Sequence, residues 1–194
     1  SWIADVITSL GFPKELTDDF LRDFRVQFDK VLRDNDINCN YFIDKMPLNF
    51  RFIPIIQKAL PEAKIIVLNR DRAPLVWSNY KQNFTSVGCM FAYDIPSLLN
   101  FHNLFENFVS IFDENSHLVK LSYDQIINTQ DEIMSNLFDF LELQLPQGLP
   151  DRSKEQDIPI KTASLVQVRS NVMTDRDDQW RNYKPYLEEY LKSL

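Results

Sequence analysis

The chain has 194 residues, 44% of them hydrophobic, with 15 Phe, 7 Tyr and 3 Trp, which is enough for one buried core and argues against a disordered chain. A formal net charge of -7 argues against a nucleic-acid backbone as partner, although one local basic pocket can still hold a small anion. With Gly11, Gly88 and Gly148 as the 3 glycines, no Gly-rich phosphate-cradling loop is present, and no run approaches the ~20 apolar residues of a membrane span.

The opening Ser1-Trp2-Ile3 has neither an initiator Met nor a basic-then-apolar leader, and reads as a piece cut from a longer, soluble, cytoplasmic protein. It enters an amphipathic pattern at once. From Glu15 to Arg33, Leu16, Phe20, Phe24, Phe28, Val31 and Leu32 recur three and four apart, which predicts a helix with Thr17 and Asp18 at its acidic start. Asn40 to Asp44 is β-prone and stops at Lys45-Met46-Pro47, so it is expected to be a strand running into a loop. Asn49 is expected to cap a helix through about Leu60, closed by Pro61.

Lys64 to Asn69 is nearly continuously apolar, the pattern of a central parallel strand covered on both faces. Helices are expected at about Pro74 to Phe84 and Pro96 to Phe112, then a strand from His117 to Ser122 and a helix from Glu132 to Leu143. Leu145 to Pro159 reads as a long irregular connection, and a closing helix is expected from about Asp178 to Leu194. Such alternation implies an α/β fold, a single three-layer domain over residues 1–194 whose parallel strands are joined by right-handed crossovers. Cys39 and Cys89 lack CxxC spacing and a nearby His, and are expected to be free thiols in a reducing compartment, with no metal and no disulfide.

In an open α/β sheet, ligands bind beyond the carboxyl ends of the strands. Here those positions are Asp44-Lys45, Asn69-Arg70-Asp71 and Ser122-Tyr123-Asp124. A Lys, an Arg and a Tyr on one edge suit an anion and a nucleobase, the Arg offering a fork and the Tyr a stacking face. From position alone, Lys45 and Arg70 serve equally well as partners of Asp44 and Asp71 at a solvated edge.

The block Asp44-Lys45-Met46-Pro47-Leu48-Asn49-Phe50 and the stretch Ala59 to Phe84 resemble sulfotransferases that use 3'-phosphoadenosine-5'-phosphosulfate (PAPS), in the branch fused to helical repeats and related to tyrosylprotein sulfotransferases. Phe91-Ala92-Tyr93-Asp94, Leu121 to Ile126, Thr162-Ala163-Ser164, Gln167-Val168-Arg169 and Trp180-Arg181-Asn182-Tyr183 follow in family order, so the resemblance covers the chain from about Tyr41 onward. It implies an α/β/α sandwich with a central parallel sheet, a P-loop NTPase-like sulfotransferase fold incomplete at the N-terminus. The first strand, phosphosulfate loop and first helix, with the glutamate base of the tyrosylprotein branch, are expected before Ser1. The implied reaction moves a sulfuryl group from PAPS to an acceptor hydroxyl on a small molecule or peptide, giving adenosine 3',5'-bisphosphate without a metal.

By the same resemblance, Arg70 and Ser78 bind the 3'-phosphate, with Ser78 placed in the first turns of the helix after the strand. Tyr123 contacts the nucleotide and Gln167 joins the donor-binding set. Lys45 and Ser164 match the groups that stabilise the sulfuryl group in flight and the leaving phosphate oxygen, where an in-line displacement accumulates charge. Taken alone, Ser78 reads as a helix-surface serine, and Tyr123 can be read as a core tyrosine with its hydroxyl at the surface. Relatives carry a basic residue where this chain has Gln179, which leaves Arg176 or Arg181 to substitute, and their Arg-Asp-Pro-Arg-Asp turn reads Arg70-Asp71-Arg72-Ala73-Pro74 here.

His102 and His117 are read as structural rather than catalytic, and Asp175 to Asp178 as a solvated helix start rather than a metal site. The alternative to an enzyme is a non-catalytic nucleotide-binding or protein-interaction module that retains the fold. A nucleotide kinase is disfavoured, since no Walker lysine is present. Neither the acceptor nor the oligomeric state is legible.

Overall fold

The apolar spacing that predicts the early helices also builds the first core. A computed structural model of the chain describes residues 1–85, 87–146 and 174–192. It divides into two compact units, Ser1–Val67 with Phe112–Val119, and Leu68–Ile111 with Lys120–Leu194. No described helix is long and apolar enough to cross a membrane.

In the first unit, α1 (Trp2–Leu10) is capped by the Ser1 hydroxyl, which accepts from Ala4 N at 3.4 Å. α2 (Asp18–Asp34) is capped by Thr17, whose hydroxyl accepts from Phe20 N, and Asp18 and Asp19 complement the positive end of its dipole. Ile3, Val6 and Ile7 of α1 pack on Leu21, Phe24 and Phe28 of α2 and on Phe52, Ile55, Ile56 and Ala59. Burying one such side chain contributes about 1.5–3 kcal/mol. α1 ends at Gly11, whose φ of 81° is a conformation glycine adopts without strain.

Two expectations fail here. The 40–46 segment is not a strand: no described strand pairs with it, so its ladder is unfilled, and Tyr41 and Ile43 are exposed. Its Asp44 instead accepts from Ile3 N at 2.9 Å and from the Ser1 hydroxyl at 3.0 Å, close to the start of α1. Asn49 caps nothing: a 3₁₀ turn (Pro47–Phe52) precedes α3 (Ile53–Ala59), Asn49 lies inside that turn, and its Oδ1 accepts from Ser1 Oγ at 3.0 Å. Pro47 and Pro54 explain the two-step entry, each sitting where a helix start has no need of its amide hydrogen.

β1 (Ile65–Asn69) and β2 (Leu118–Ser122) form a two-stranded parallel sheet, entered by Ile65 N donating to His117 O at 2.8 Å. The first residues of both strands belong to the first unit and the last to the second. β1 was expected to be covered on both faces, yet within it only Val67 is buried, while Ile66 is 43% and Leu68 54% exposed. Among the described residues it has a single partner strand, and the alternate side chains Ile66 and Leu68 share an exposed face.

In the second unit, α4 (Arg72–Tyr80) follows β1, a 3₁₀ turn (Val87–Tyr93) leads to α5 (Ile95–Ser110), and β2 runs directly into α6 (Tyr123–Asn128) and then α7 (Gln130–Phe140). α6 is a turn and a half that its few apolar residues do not advertise. Asp94 caps α5 by accepting from Ser97 N at 2.9 Å. Val76, Ala92, Leu98 and Leu99 form the core, with Phe84, Phe91, Ile95 and Tyr190 against it. The closing helix was expected from Asp178; instead a 3₁₀ segment (Thr174–Tyr183) precedes α8 (Lys184–Leu191). Pro185 in the first turn of α8 cannot continue a helix from upstream, which fixes the break. Tyr183 stacks on Trp77 of α4 at 3.9 Å.

Candidate functional site

Both strands of the sheet hand their chain directly to a helix in the second unit. Asn69 ends β1, and its Oδ1 accepts from Arg70 N at 2.8 Å. Ser122 ends β2 and Tyr123 opens α6. The Arg70 guanidinium carbon lies 4.6 Å from the centre of the Tyr123 ring, a cation–π contact. Desolvation of the half-buried guanidinium pulls its pKa below the ordinary arginine value, against the opposing pull of Tyr123, Asp124 and Asp71. An arginine stays charged under such a shift, so a fixed cation stands at the strand end.

Next to it is a cleft of about 300 Å³ lined by Asp71, Arg72, Ala73, Pro74, Asp124, Trp180 and Arg181. Asp71 to Pro74 are the N-cap and first turn of α4. A helix start leaves amide hydrogens without intrahelical acceptors and carries the positive end of the dipole, so it favours an anion. Arg72 and Arg181 add two guanidinium groups, and Arg181 lies 5.8 Å from the Trp180 ring. Asp71 and Asp124 bring opposing charge. Asp124 Oδ2 is buried and has no hydrogen-bond partner among the described residues, so it is free to accept from a ligand hydroxyl or amino group.

Arg72, which lines the cleft, belongs to a charged set on two helices. Arg72 Nη2 lies 2.8 Å from Glu106 Oε2, and the same oxygen is 3.2 Å from His102 Nδ1. That His contact is within ion-pair range but off the line of a well-aligned hydrogen bond, and both ring nitrogens are buried without one. Burial pushes the His102 pKa down, Glu106 pulls it up and Arg72 pushes it down. His102 is therefore a buried side chain whose charged form is disfavoured by desolvation.

The expected site residues divide into three groups. Arg70 and Tyr123 meet. Lys45 is exposed, just before the Pro47–Phe52 turn in the first unit. Ser78 was expected in the first turns of α4, but α4 starts at Arg72 and ends at Tyr80, so Ser78 lies in its last turn. There the dipole disfavours an anion, and Ser78 is not among the residues lining the cleft. Ser164 and Gln167 lie outside the described residues. Sequence reasoning put Asp124 at a strand end without a role, missed Glu106 and gave Arg72 no role, although an Arg opening the helix after a strand is itself a signal. Arg181, named as one stand-in for the basic residue absent at 179, does line the cleft, and Gln179 Oε1 instead accepts from Lys81 Nζ at 3.4 Å. Among the described residues no group of His, Cys, Asp and Glu could hold a metal.

The family model for the sulfotransferase family matches residues 8–147, a span that includes Lys45, Arg70, Ser78 and Tyr123. A protein of Aquifex aeolicus (strain VF5), named "Uncharacterized protein", is 32% identical over 158 residues, covering 78% of this chain and 20% of its own length. The chain thus spans about a fifth of that relative. A Caenorhabditis briggsae protein named "Putative protein-tyrosine sulfotransferase" is 20% identical over 200 aligned residues, covering 100% of this chain and 69% of its own length. No solved structure matches. The chain belongs to the sulfotransferase family.

Proposed function

We propose that this chain carries the 3'-phosphate end of a PAPS site and takes part in sulfuryl transfer to an acceptor hydroxyl, with adenosine 3',5'-bisphosphate as the product nucleotide. The carrying observation is the Arg70 guanidinium stacked on Tyr123 at the ends of β1 and β2, whose neighbours Asp71 and Asp124 line the cleft at the start of α4. The fit is chemical as well as spatial. Two arginines and a helix start suit a phosphate, the Trp180 ring suits a base, and the uncommitted Asp124 oxygen suits a hydroxyl or amino donor. A volume of about 300 Å³ is at the small end for a ligand site, so it holds part of a nucleotide rather than all of it.

Arg70 holds the 3'-phosphate in this reading, with Arg72 and Arg181 as further cations. Ser78 can add only its hydroxyl, without help from the helix dipole. Tyr123 orients Arg70, and Gln167 belongs to the nucleotide set by resemblance. Bound PAPS supplies an activated sulfuryl group. Lys45 and Ser164 are the proposed donors to oxygens that gain charge as the bond from sulfur to phosphate oxygen breaks and the bond to the acceptor oxygen forms, the acceptor proton passing to a base. The name of the Caenorhabditis relative favours a peptide tyrosine as acceptor over a small molecule. For the domain we infer the three-layer P-loop-like arrangement over residues 1–194, of which the parallel pair β1–β2 is a part.

Calorimetric titration of the full chain with adenosine 3',5'-bisphosphate tests the reading. Saturable binding is expected, weakened about 10- to 100-fold by Arg70→Ala, the loss of a charge-assisted pair. Absence of binding to folded protein would sink it.

A further inference from the structure

We propose that Glu106 is a positioning residue of the cleft, holding the Arg72 guanidinium in the cleft wall, with buried His102 packed against the same carboxylate oxygen. The proposal rests on the reading of the cleft as a nucleotide-phosphate site. Arg72 is the first residue of α4 and its long side chain is 31% exposed, so unrestrained it would sample many rotamers, and ordering them on ligand binding would cost affinity. Glu106, on α5, removes that cost in advance with a 2.8 Å contact between Oε2 and Arg72 Nη2.

The same carboxylate oxygen faces His102 Nδ1 at 3.2 Å, one helical turn earlier on α5. The His102 side chain is 5% exposed against 38% for Glu106, so the carboxylate has a dry imidazole on one side and the half-wet guanidinium on the other. Stability is a poor reason for the arrangement. α4 and α5 are already joined by Val76, Leu98 and Leu99, and a partly exposed ion pair adds little to that. What the pair does decide is where the guanidinium points.

Charge and position make opposite forecasts, which makes the proposal testable. If Glu106 acted only through its charge, removing it would leave the cleft more positive and tighten an anion. If it acts by position, removing it loosens Arg72 and weakens the anion. The experiment titrates adenosine 3',5'-bisphosphate into the full chain and its variants, with a thermal melt of each. Glu106→Ala is expected to bind about five- to tenfold more weakly, while Glu106→Gln, which keeps an acceptor oxygen at the same reach, stays within about twofold of the parent. Glu106→Asp keeps the charge but withdraws the oxygen by one methylene, and is expected to lose about three- to fivefold; it carries the test alone if the alanine variant fails to melt cooperatively. In an Arg72→Ala background, Glu106→Ala is expected to change nothing further.

Equal or tighter binding by both Glu106→Ala and Glu106→Asp overturns the positioning role while leaving the site intact. A loss of the same size in the Arg72→Ala background overturns it too, since Glu106 would then act through another group. A parent chain that does not bind the nucleotide overturns both this proposal and the functional reading beneath it.

Discussion

The Arg70 guanidinium covers one face of the Tyr123 ring at 4.6 Å, joining the first residue beyond β1 to the first residue of α6. One face of that ring is therefore spent on the cation, and the base-stacking surface nearest the cleft is Trp180 instead. A contact of this kind is worth about 0.5–2 kcal/mol depending on how dry it is. Tyr123→Phe, which keeps the ring, is expected to leave the affinity for adenosine 3',5'-bisphosphate within about twofold, and Tyr123→Leu to weaken it by about three- to tenfold. Titration of both variants decides it: an equal loss in the two would assign the effect to the hydroxyl rather than to the ring.

Phe24 is fully buried at 0% exposure between α1 and α3, whereas Val26, two residues along the same helix, is 58% exposed. Phe24→Ala removes a packed ring and leaves a cavity, so a loss of about 3–5 kcal/mol in urea unfolding is expected. Val26→Ala removes little buried surface, and α2 gains from alanine's better helix propensity, so a change within about 0.5 kcal/mol is expected. Comparable losses at both positions would mean that α2 buries a different face.

What could be read in advance follows from where each signal is stored. α2 and α5 were legible because apolar periodicity lies within the helix itself, and their caps are as local, Thr17 and Asp94 each accepting the amide hydrogen three residues on, although only Thr17 was read in advance. β1 was legible as a strand from Ile65 to Leu68, but its coverage was not, because that depends on neighbours rather than on its own residues. The 40–46 segment has strand composition but no partner strand among the described residues, and strand propensity alone cannot supply one. At the site, the strand-end rule, which needs only topology, put Arg70 and Tyr123 on one edge, and the family resemblance is what gave them expected roles. Glu106 escaped because it sits mid-helix, 34 residues from Arg72, and no local pattern marks a side chain that reaches across to another element.

Asp94 caps α5 by accepting from Ser97 N at 2.9 Å, and α5 carries Leu98, Leu99, His102 and Glu106. Asp94→Ala is expected to cost about 1 kcal/mol of unfolding free energy. Asp94→Asn retains the acceptor and is expected to recover most of it, less the small contribution of charge at the helix start. Chemical denaturation of the three proteins separates cap from charge: an asparagine variant as weak as the alanine would assign the whole effect to the dipole.

His102 gives the fold a pH dependence whose sign can be worked out. Burial, the largest influence, and the neighbouring Arg72 hold its folded pKa below the ordinary histidine value, against the upward pull of Glu106. The unfolded chain therefore takes up a proton at this residue more readily than the folded chain does. Above the unfolded pKa of about 6.5 neither state is protonated and the residue contributes no slope. As the pH falls below about 6.5 the unfolded state is favoured, and stability drops until the folded pKa is also passed. Everything else in the chain is common to parent and variant, so the comparison to make is with His102→Gln. Urea unfolding of both between about pH 7.5 and 5 is expected to show the parent losing stability relative to the variant as the pH falls through the histidine range. A difference that stays constant with pH would mean that the imidazole titrates alike in the folded and unfolded chains, and one that moves in the parent's favour on acidification would mean that it is protonated in the fold and pairs with Glu106 as an ion.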